Sequence, residues 1–331
     1  MIEIPTIFKD VDVKKNLLIK KKVGIIGYGN QGRAQALNLL DSGLNVSIGL
    51  RASSKSISVA KKDGFKNIDT IEEIVKKCDL LCFMIPDEEI PNVYKNNINK
   101  YLRPGQICLF AHGYCIHFSK IKIPKFIDVI MVAPSGAGKI VREKYINNSG
   151  VPNLIAVHQD YSKNAFDIAL SYSKNIGGTK VGCFFSSFEE EAITDIFGEQ
   201  AILTGGLPKL ISASFDALVE SGYSPVVAWF VCYYEVKSII DLFHEDGFEY
   251  LNNSISNIAE YGGATRGDIL IDDSVKIKMK KMIKQIQSGD FVKEWDKEQH
   301  KKLTLKSNRK KIKSSNIEQM NKKMLKILFK K

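Results

Sequence analysis

Short apolar runs alternate with helix-length segments along the first half of the chain. The runs begin at Val23, Val46, Leu80, Ile107, Val129, Leu154 and Val181. Runs of this kind, separated by helical crossovers, are typical of parallel strands that are buried on both faces. After about Phe184 the pattern changes, and helical periodicity dominates from Glu189 to Gln299. The pattern therefore predicts an α/β domain with a parallel sheet over residues 1–185 and a helical domain over residues 186–331.

The first apolar run leads directly into a glycine motif. The run from Val23 to Tyr28 predicts a strand, and the spacing G-x-G-x-x-G then precedes a helix predicted from Arg33 to Ser42. In such a loop the first glycine permits a tight turn, the second admits a pyrophosphate, and the third lets the helix pack closely. The residues expected to bind the dinucleotide here are Gly27, Tyr28, Gly29, Asn30, Gln31 and Gly32. The position of the motif between strand and helix favours a Rossmann-type dinucleotide-binding domain.

The charged residue that follows the second apolar run, which begins at Val46, indicates which dinucleotide is bound. Domains that bind NAD often carry an acidic residue about 20 positions after the glycines, where it contacts the ribose hydroxyls. This chain has Arg51 there, followed by Ser54 and Ser56. A guanidinium and two hydroxyls suit a 2′-phosphate, so the predicted cofactor is NADPH. Asp87 and Glu88 follow a later strand, where we expect them to contact the adenosine half.

Two acidic residues near the start of the helical half form a candidate metal site. Asp195 and Glu199 are four residues apart and share one face of a predicted helix. Two carboxylates at this spacing repel each other unless solvent or a cation intervenes, and Mg²⁺ is a hard ion that one or two carboxylates bind. The spacing alone is weak support, since surface helices often carry such pairs.

Composition narrows the choice of partners. The chain has 331 residues, of which 44% are hydrophobic and 26% are charged. No run approaches the roughly 18–20 apolar residues of a membrane span, so we expect a cytoplasmic protein without a membrane partner. Residues 300–331 contain twelve basic residues and one acidic residue, Glu318, and they account for the whole net charge of +11. This basic tail has no series of aromatic residues, and we therefore expect no nucleic-acid partner.

Several motifs, taken together, resemble those of ketol-acid reductoisomerase (acetohydroxy-acid isomeroreductase) in its short bacterial form. They are GYGNQG from Gly27, GLRASSKS from Gly49, PDE from Pro86, FAHG from Phe110, VAP from Val132, GVPNLIAVHQD from Gly150, TDIFGEQ from Thr194, SISNIAEYG from Ser254 and QSG from Gln287. The resemblance covers nearly the whole chain. The VHQD, DIFGEQ and AEYG stretches in this order make it specific.

The resemblance implies an activity and an assembly. Enzymes of this family convert 2-acetolactate or its ethyl homologue, both 2-hydroxy-keto acids, into a dihydroxy acid in valine and isoleucine biosynthesis. Two Mg²⁺ ions polarise the ketol oxygens, an alkyl group migrates, and NADPH delivers a hydride. The implied fold is a Rossmann-type N-terminal domain followed by an all-α, knotted C-terminal domain. Metal ligands contributed by two subunits imply at least a homodimer.

The resemblance also assigns the metal ligands. Asp195 matches the carboxylate that bridges both ions, and Glu199 matches a ligand of the first. Glu235 matches a ligand of the second ion, offered across the dimer interface. Four further matches concern the surrounding site. His112 matches the active-site histidine beside the nicotinamide, and Ser256 matches the serine that holds the substrate carboxylate. Gly138 matches a glycine close to the cofactor, and Glu191 an acidic residue near the metals.

Two positions depart from the family pattern. Ser135, in VAPSGAG, stands where the family has an active-site lysine, and Lys139 is one candidate for restoring the charge. Val231, in FVCYYE, stands where the family has a metal-binding glutamate, and Tyr234 stands where a histidine is common. We therefore expect the second Mg²⁺ to be held weakly, because water replaces the missing carboxylate.

These departures keep two alternatives open. The first is an NADPH-dependent 2-keto-acid reductase on the same scaffold that has lost alkyl migration, since hydride transfer needs only one Lewis-acid cation on the carbonyl. The second is an NADP-binding protein without catalytic activity. The joint presence of His112, Asp195, Glu199, Glu235 and Ser256 argues against the second alternative.

Overall fold

The computed structural model describes residues 6–329, except for the side chain of His300. The chain divides into two compact units, with the boundary between Ala192 and Ile193. The first unit is an α/β layer structure, and the described part of the second is helical throughout. These classes confirm the predicted fold. The predicted functional boundary between residues 185 and 186 stays a prediction.

The described part of the first unit contains one nine-stranded sheet. Its strands are β1 (Ile7–Phe8), β2 (Lys22–Ile26), β3 (Asn45–Gly49), β4 (Ile68–Asp69), β5 (Leu80–Phe83), β6 (Ile107–Phe110), β7 (Asp128–Pro134), β8 (Asn153–Gln159) and β9 (Cys183–Phe185). Their order in the sheet is β1-β9-β8-β7-β6-β5-β2-β3-β4. All four residues of β5 and of β6 are buried, which explains their continuous apolar sequence.

Six neighbouring strands, β7-β6-β5-β2-β3-β4, are parallel, as predicted. The sheet as a whole is mixed, because β8 pairs antiparallel with β7 and β1 pairs antiparallel with β9. A strand with a continuous apolar sequence can be buried in a parallel or an antiparallel orientation. The residue pattern therefore did not reveal that β8 is antiparallel to β7 and β1 to β9. The strand expected at Val181 begins instead at Cys183, since Gly178–Val181 form a helical turn.

Helices connect the strands of the first unit. They are α1 (Asn30–Asp41), α2 (Ser56–Lys62), α3 (Ile71–Lys77), α4 (Ile90–Val93), α5 (Tyr114–His117), α6 (Gly138–Ile146), α7 (Ala165–Ile176) and α8 (Gly178–Val181). Helix α1 begins three residues earlier than predicted, so that Gly32 lies inside its first turn. Helix α7 is buried on most sides and ends at Gly177, whose φ of 95° permits a left-handed turn.

The second unit consists of helices in its described residues. Helix α9 (Phe188–Gly198) crosses the boundary between the units. After it follow α10 (Gly206–Glu220), α11 (Pro225–Trp229), α12 (Val236–Ser254), α13 (Asn257–Leu270), α14 (Asp273–Gln287), α15 (Asp290–Lys301), α16 (Leu303–Ser314) and α17 (Asn316–Phe329). Single π-helical turns, Glu199–Leu203 and Phe230–Tyr234, follow α9 and α11.

A small core packs helix α17 against other helices of the second unit. Phe215, Ala228, Trp229, Ile317 and Met324 form one buried cluster. The Trp229 indole also donates a hydrogen bond to the Asn321 side chain over 3.3 Å. Helix α17 is therefore packed against α10 and α11, whereas α16, the most basic part of the tail, is almost entirely exposed.

Candidate functional site

The glycine loop has the geometry that its sequence predicts. Gly27 follows β2 with a φ of +99°, and a Cβ there would lie 2.7 Å from the Met84 carbonyl oxygen. A Cβ on Gly32 would lie 2.6 Å from the Gly27 oxygen. Gly29 precedes α1 in an extended conformation and has open space around it. The loop thus presents the N-terminus of a twelve-residue helix to an anion.

The residues predicted to bind the 2′-phosphate lie together with this loop. Gly27, Tyr28, Gly29, Arg51, Ser54, Ser56, Pro86 and Glu89 are among the residues that line one cavity of about 210 Å³. Arg51 is exposed at its edge, and Ser56 is the first residue of α2. Glu89 was missed by the sequence interpretation, although it belongs to the same acidic stretch. Asp87 and Glu88 do not line this cavity, and their cofactor contact stays a prediction.

The remaining loop residues contact the segment that precedes α6. The Gln31 side chain donates a hydrogen bond to the Gly136 carbonyl over 2.8 Å. A Cβ on Gly138 would lie 2.2 Å from the Asn30 carbonyl oxygen, so only glycine allows α6 to approach α1 this closely. Asn30, Gln31 and Gly138 are therefore brought together with the glycine loop.

His112 is oriented by a buried carboxylate. It follows β6, and its Nδ1 lies 2.9 Å from Oε2 and 3.0 Å from Oε1 of Glu191 on α9. The Gly113 amide donates to the same Glu191 carboxylate over 2.5 Å. A Cβ on Gly113 would lie 2.2 Å from the Phe188 carbonyl oxygen, so α9 packs directly on this turn. A carboxylate at Nδ1 favours a proton on that nitrogen, so that Nε2 is the unprotonated nitrogen of the neutral ring.

Asp195 extends this acidic group by one helical turn. Its carboxylate and that of Glu191 each offer an oxygen, and these lie within 4.8 Å of each other along α9. Asp195 is exposed, whereas Glu191 is 5% exposed. Glu199 is also exposed but begins the π-helical turn that follows α9. Within the described residues, neither Glu199 nor Glu235 joins the cluster.

Glu235 and Ser256 lie on separate elements of the second unit. Glu235 is exposed at the junction between the second π-helical turn and α12. Ser256 is exposed and precedes α13, where its hydroxyl accepts a hydrogen bond from the Ala259 amide over 3.4 Å. The roles of Glu235 and Ser256 stay predictions.

Asp87 is a partly buried acid on the same edge of the sheet. Burial raises its pKa to about 6, and the His112 charge opposes this shift. The Cys115 thiol donates a hydrogen bond to the Asp87 carbonyl over 3.4 Å. The cysteines in the described residues are all free, and Cys115 is buried.

The two departures from the family pattern lie on exposed segments. Ser135 is exposed, and its amide donates to the Pro152 carbonyl over 2.8 Å. Lys139 is 82% exposed and forms an ion pair with Glu143 over 3.6 Å on α6, and its use in place of the family's lysine stays a prediction. Val231 is exposed in the second π-helical turn and offers no ligand atom.

Comparisons with known proteins agree with the motifs. A family model of the acetohydroxy acid isomeroreductase NADPH-binding domain matches residues 17–182, and one of the ketol-acid reductoisomerase C-terminal domain matches residues 188–329. The chain is 48% identical over 295 residues to the ketol-acid reductoisomerase (NADP(+)) of Pyrococcus abyssi, covering 89% of each chain. It is 48% identical over 288 residues to the protein of the same name from Petrotoga mobilis, covering 87% of each.

A solved structure extends the agreement to the fold. The NADH-preferring ketol-acid reductoisomerase from an uncultured archean has a TM-score of 0.94 and 39% identity, covering 98% of this chain and 100% of that one. A putative oxidoreductase from Jannaschia has a TM-score of 0.60 at 15% identity, which supports the fold alone. Since both family models match, over consecutive parts of the sequence, the chain belongs to the ketol-acid reductoisomerase family.

Proposed function

We propose that this chain is an Mg²⁺-dependent ketol-acid reductoisomerase that uses NADPH. Its substrates would be 2-acetolactate and 2-aceto-2-hydroxybutyrate, which it converts to 2,3-dihydroxy acids in branched-chain amino-acid biosynthesis. The observation that carries this proposal is the buried Glu191 carboxylate, which binds His112 and lies beside Asp195 on one helix. The NADP(+) named for the two 48% identical relatives supports the cofactor.

The first unit would bind the dinucleotide. The N-terminus of α1 suits the pyrophosphate, and Arg51, Ser54 and Ser56 suit the 2′-phosphate at the other end of the same cavity. The bound NADPH supplies the hydride. Residues 1–185 would form this cofactor domain, and residues 186–331 the metal and substrate domain.

The carboxylates fit the ion that the family uses. Glu191 and Asp195 offer hard oxygen atoms within 4.8 Å of each other, and Mg²⁺ prefers such ligands. Asp195, Glu199 and Glu235 would hold two ions, with the second held weakly because Val231 has no ligand atom. Bound Mg²⁺ would polarise the ketol oxygens.

The side chains of this chain would orient the substrate and move a proton. Glu191 holds the His112 ring in place, so that Nε2 can exchange a proton with the substrate. Ser256 precedes a fourteen-residue helix whose N-terminus favours a carboxylate, which suits the acid group of the substrate.

The second unit carries the surface of a proposed homodimer. Exposed apolar side chains are numerous there, including Val227, Tyr233, Phe248, Ile258 and Ile269. Clustering of exposed apolar residues is typical of obligate interfaces. Such an interface would let Glu235 of one subunit complete the site of its partner.

We also propose a cytoplasmic location without a membrane partner. By length and composition, one helical stretch of the described residues, Phe188–Glu220, is apolar enough to cross a membrane, with a mean hydropathy of 1.3. A single such stretch is weak support for a span. This one includes Asp195 and Glu199, which the proposed metal site uses.

Replacing Arg51 with alanine tests the cofactor assignment. We expect the Kd of NADPH to rise about 10–100-fold, because a charge-assisted hydrogen bond worth about 1.5–3 kcal/mol is lost. The Kd of NADH should change little, since NADH lacks the 2′-phosphate. Fluorescence titration measures both constants, and Lys61→Ala on α2 is a matched control. A wild-type protein that binds NADH more tightly would contradict the assignment.

Magnesium titration tests the two half-reactions. We expect turnover of 2-acetolactate to need more Mg²⁺ than reduction of 3-hydroxy-3-methyl-2-ketobutyrate, since only alkyl migration needs the weakly held second ion. NADPH oxidation measures both rates. Val231→Glu should lower the Mg²⁺ concentration at half-maximal turnover of 2-acetolactate by restoring a carboxylate.

The same titration separates the alternatives. If 2-acetolactate is not turned over at any Mg²⁺ concentration while the keto acid is reduced, the chain is a 2-keto-acid reductase. If neither substrate supports NADPH oxidation, the chain is a binding protein, and the proposed activity is wrong.

A further inference from the structure

The turn after α2 connects two parts of the cofactor site. We call residues 63–65 the DGF turn. The Asp63 amide donates to the Val59 carbonyl over 2.9 Å and ends the helix, and Gly64 has a φ of +96°. Phe65 is 5% exposed. Helix α2 begins at Ser56 and ends directly before this turn. It therefore connects Ser54 and Ser56, which are proposed to bind the 2′-phosphate, to the DGF turn.

The DGF turn holds the glycine loop through Tyr28. The Tyr28 hydroxyl donates to Oδ2 of Asp63 over 2.9 Å. The Tyr28 ring also packs edge-on against Phe65, with 5.6 Å between ring centroids. Tyr28 is 6% exposed and lies between Gly27 and Gly29. The polar and the apolar part of one side chain are thus both fixed by the same turn.

Asp63 also binds the first turns of α1. Arg33 donates from Nε to Oδ2 over 2.6 Å and from a terminal nitrogen to Oδ1 over 2.8 Å. This two-point contact fixes direction as well as distance. The hydrogen bonds from Arg33, and after it from Tyr28, lower the pKa of Asp63. The carboxylate is therefore ionised at neutral pH.

We propose that Asp63 is a positioning residue that sets the preference for NADPH over NADH. It ties the loop that receives the pyrophosphate to the helix that begins beside the 2′-phosphate. The proposal rests on the proposed function of the Arg51 cavity. Without the hydrogen bonds of Asp63, α2 can move relative to the glycine loop. The contacts to the 2′-phosphate depend on the distance between α2 and this loop, so they would weaken. NADH makes no such contacts and should be less sensitive.

The test compares the two dinucleotides in the full-length protein. Asp63→Asn keeps the shape of the side chain but removes its charge. We expect the Kd of NADPH to rise about tenfold, which corresponds to about 1.4 kcal/mol of binding free energy. The Kd of NADH should rise less than about threefold, because NADH has no 2′-phosphate whose contacts depend on the position of α2. Tyr28→Phe removes one hydrogen bond and should shift the ratio in the same direction by less. Glu73→Gln breaks an exposed ion pair with Lys76 on α3 and is the control.

Each possible result either supports or overturns the proposed role of Asp63. A selective loss of NADPH affinity supports the proposal, and equal changes in both Kd values indicate a general structural role and overturn it. Unchanged values also overturn it. If Asp63→Asn does not fold, as judged by circular dichroism, Tyr28→Phe decides by the same criterion. Failure of the wild-type chain to bind NADPH contradicts the proposed function instead, which distinguishes the two failures.

Discussion

Replacing Asp195 with asparagine is expected to lower turnover of 2-acetolactate by at least about 10²–10³-fold. Asparagine keeps the size of the side chain but lacks the charge that would hold Mg²⁺ beside Glu191. The exposed position of Asp195 means that folding should not suffer. NADPH oxidation measures turnover, and calorimetric titration measures Mg²⁺ affinity without reference to activity. Asp241→Asn on α12 removes an exposed ion-paired carboxylate and is the control.

A mixing experiment extends this prediction to the dimer. Glu235→Gln should also be inactive, because its carboxylate is proposed to reach the partner's site. If subunits of the two inactive variants are exchanged, some mixed dimers have one site with both carboxylates intact. Activity should then return in part. Wild-type Mg²⁺ affinity in Asp195→Asn would contradict the proposed ligand, and no recovery on mixing would contradict the shared site.

Replacing Gly138 with alanine is expected to destabilise the first unit by about 1–3 kcal/mol or more, because the added methyl group overpacks a tight contact. That methyl would lie 2.2 Å from the Asn30 carbonyl oxygen and 2.5 Å from its carbon. Both are backbone atoms and cannot turn aside, so α6 must move away from α1. The melting temperature should fall by about 2–4 °C per kcal/mol.

The same change should weaken NADPH binding, since Asn30 begins the helix whose N-terminus receives the pyrophosphate. Gly267→Ala on α13 is the matched control. A Cβ at that position meets no atom within 4 Å, and alanine favours a helix by about 1 kcal/mol. Equal melting temperatures for Gly138→Ala and the wild-type chain would show that the close approach of α6 and α1 has no energetic consequence.

The sequence predicted local elements well where one physical cause dominates. Continuous apolar runs identified the strands beginning near Val23, Val46, Leu80, Ile107 and Val129, because central strands are buried on both faces. It missed the two-residue strands β1 and β4, which are too short for a pattern. It also missed the π-helical turn at Glu199, since both kinds of helix accept the same residues.

The sequence by itself determined the glycine loop, the cation at Arg51 and the basic tail, because each follows from residue type and spacing, and its motifs together carried the resemblance to the family. Only the tertiary structure decided that Glu191 binds His112, 79 residues earlier, and that Asp63 binds Tyr28, 35 residues earlier. It also decided that Gly138 meets Asn30. These pairs depend on the order of strands in the sheet, and many orders bury the same apolar residues equally well. Local patterns therefore fix the elements, while the packing of the sheet selects which distant polar groups meet.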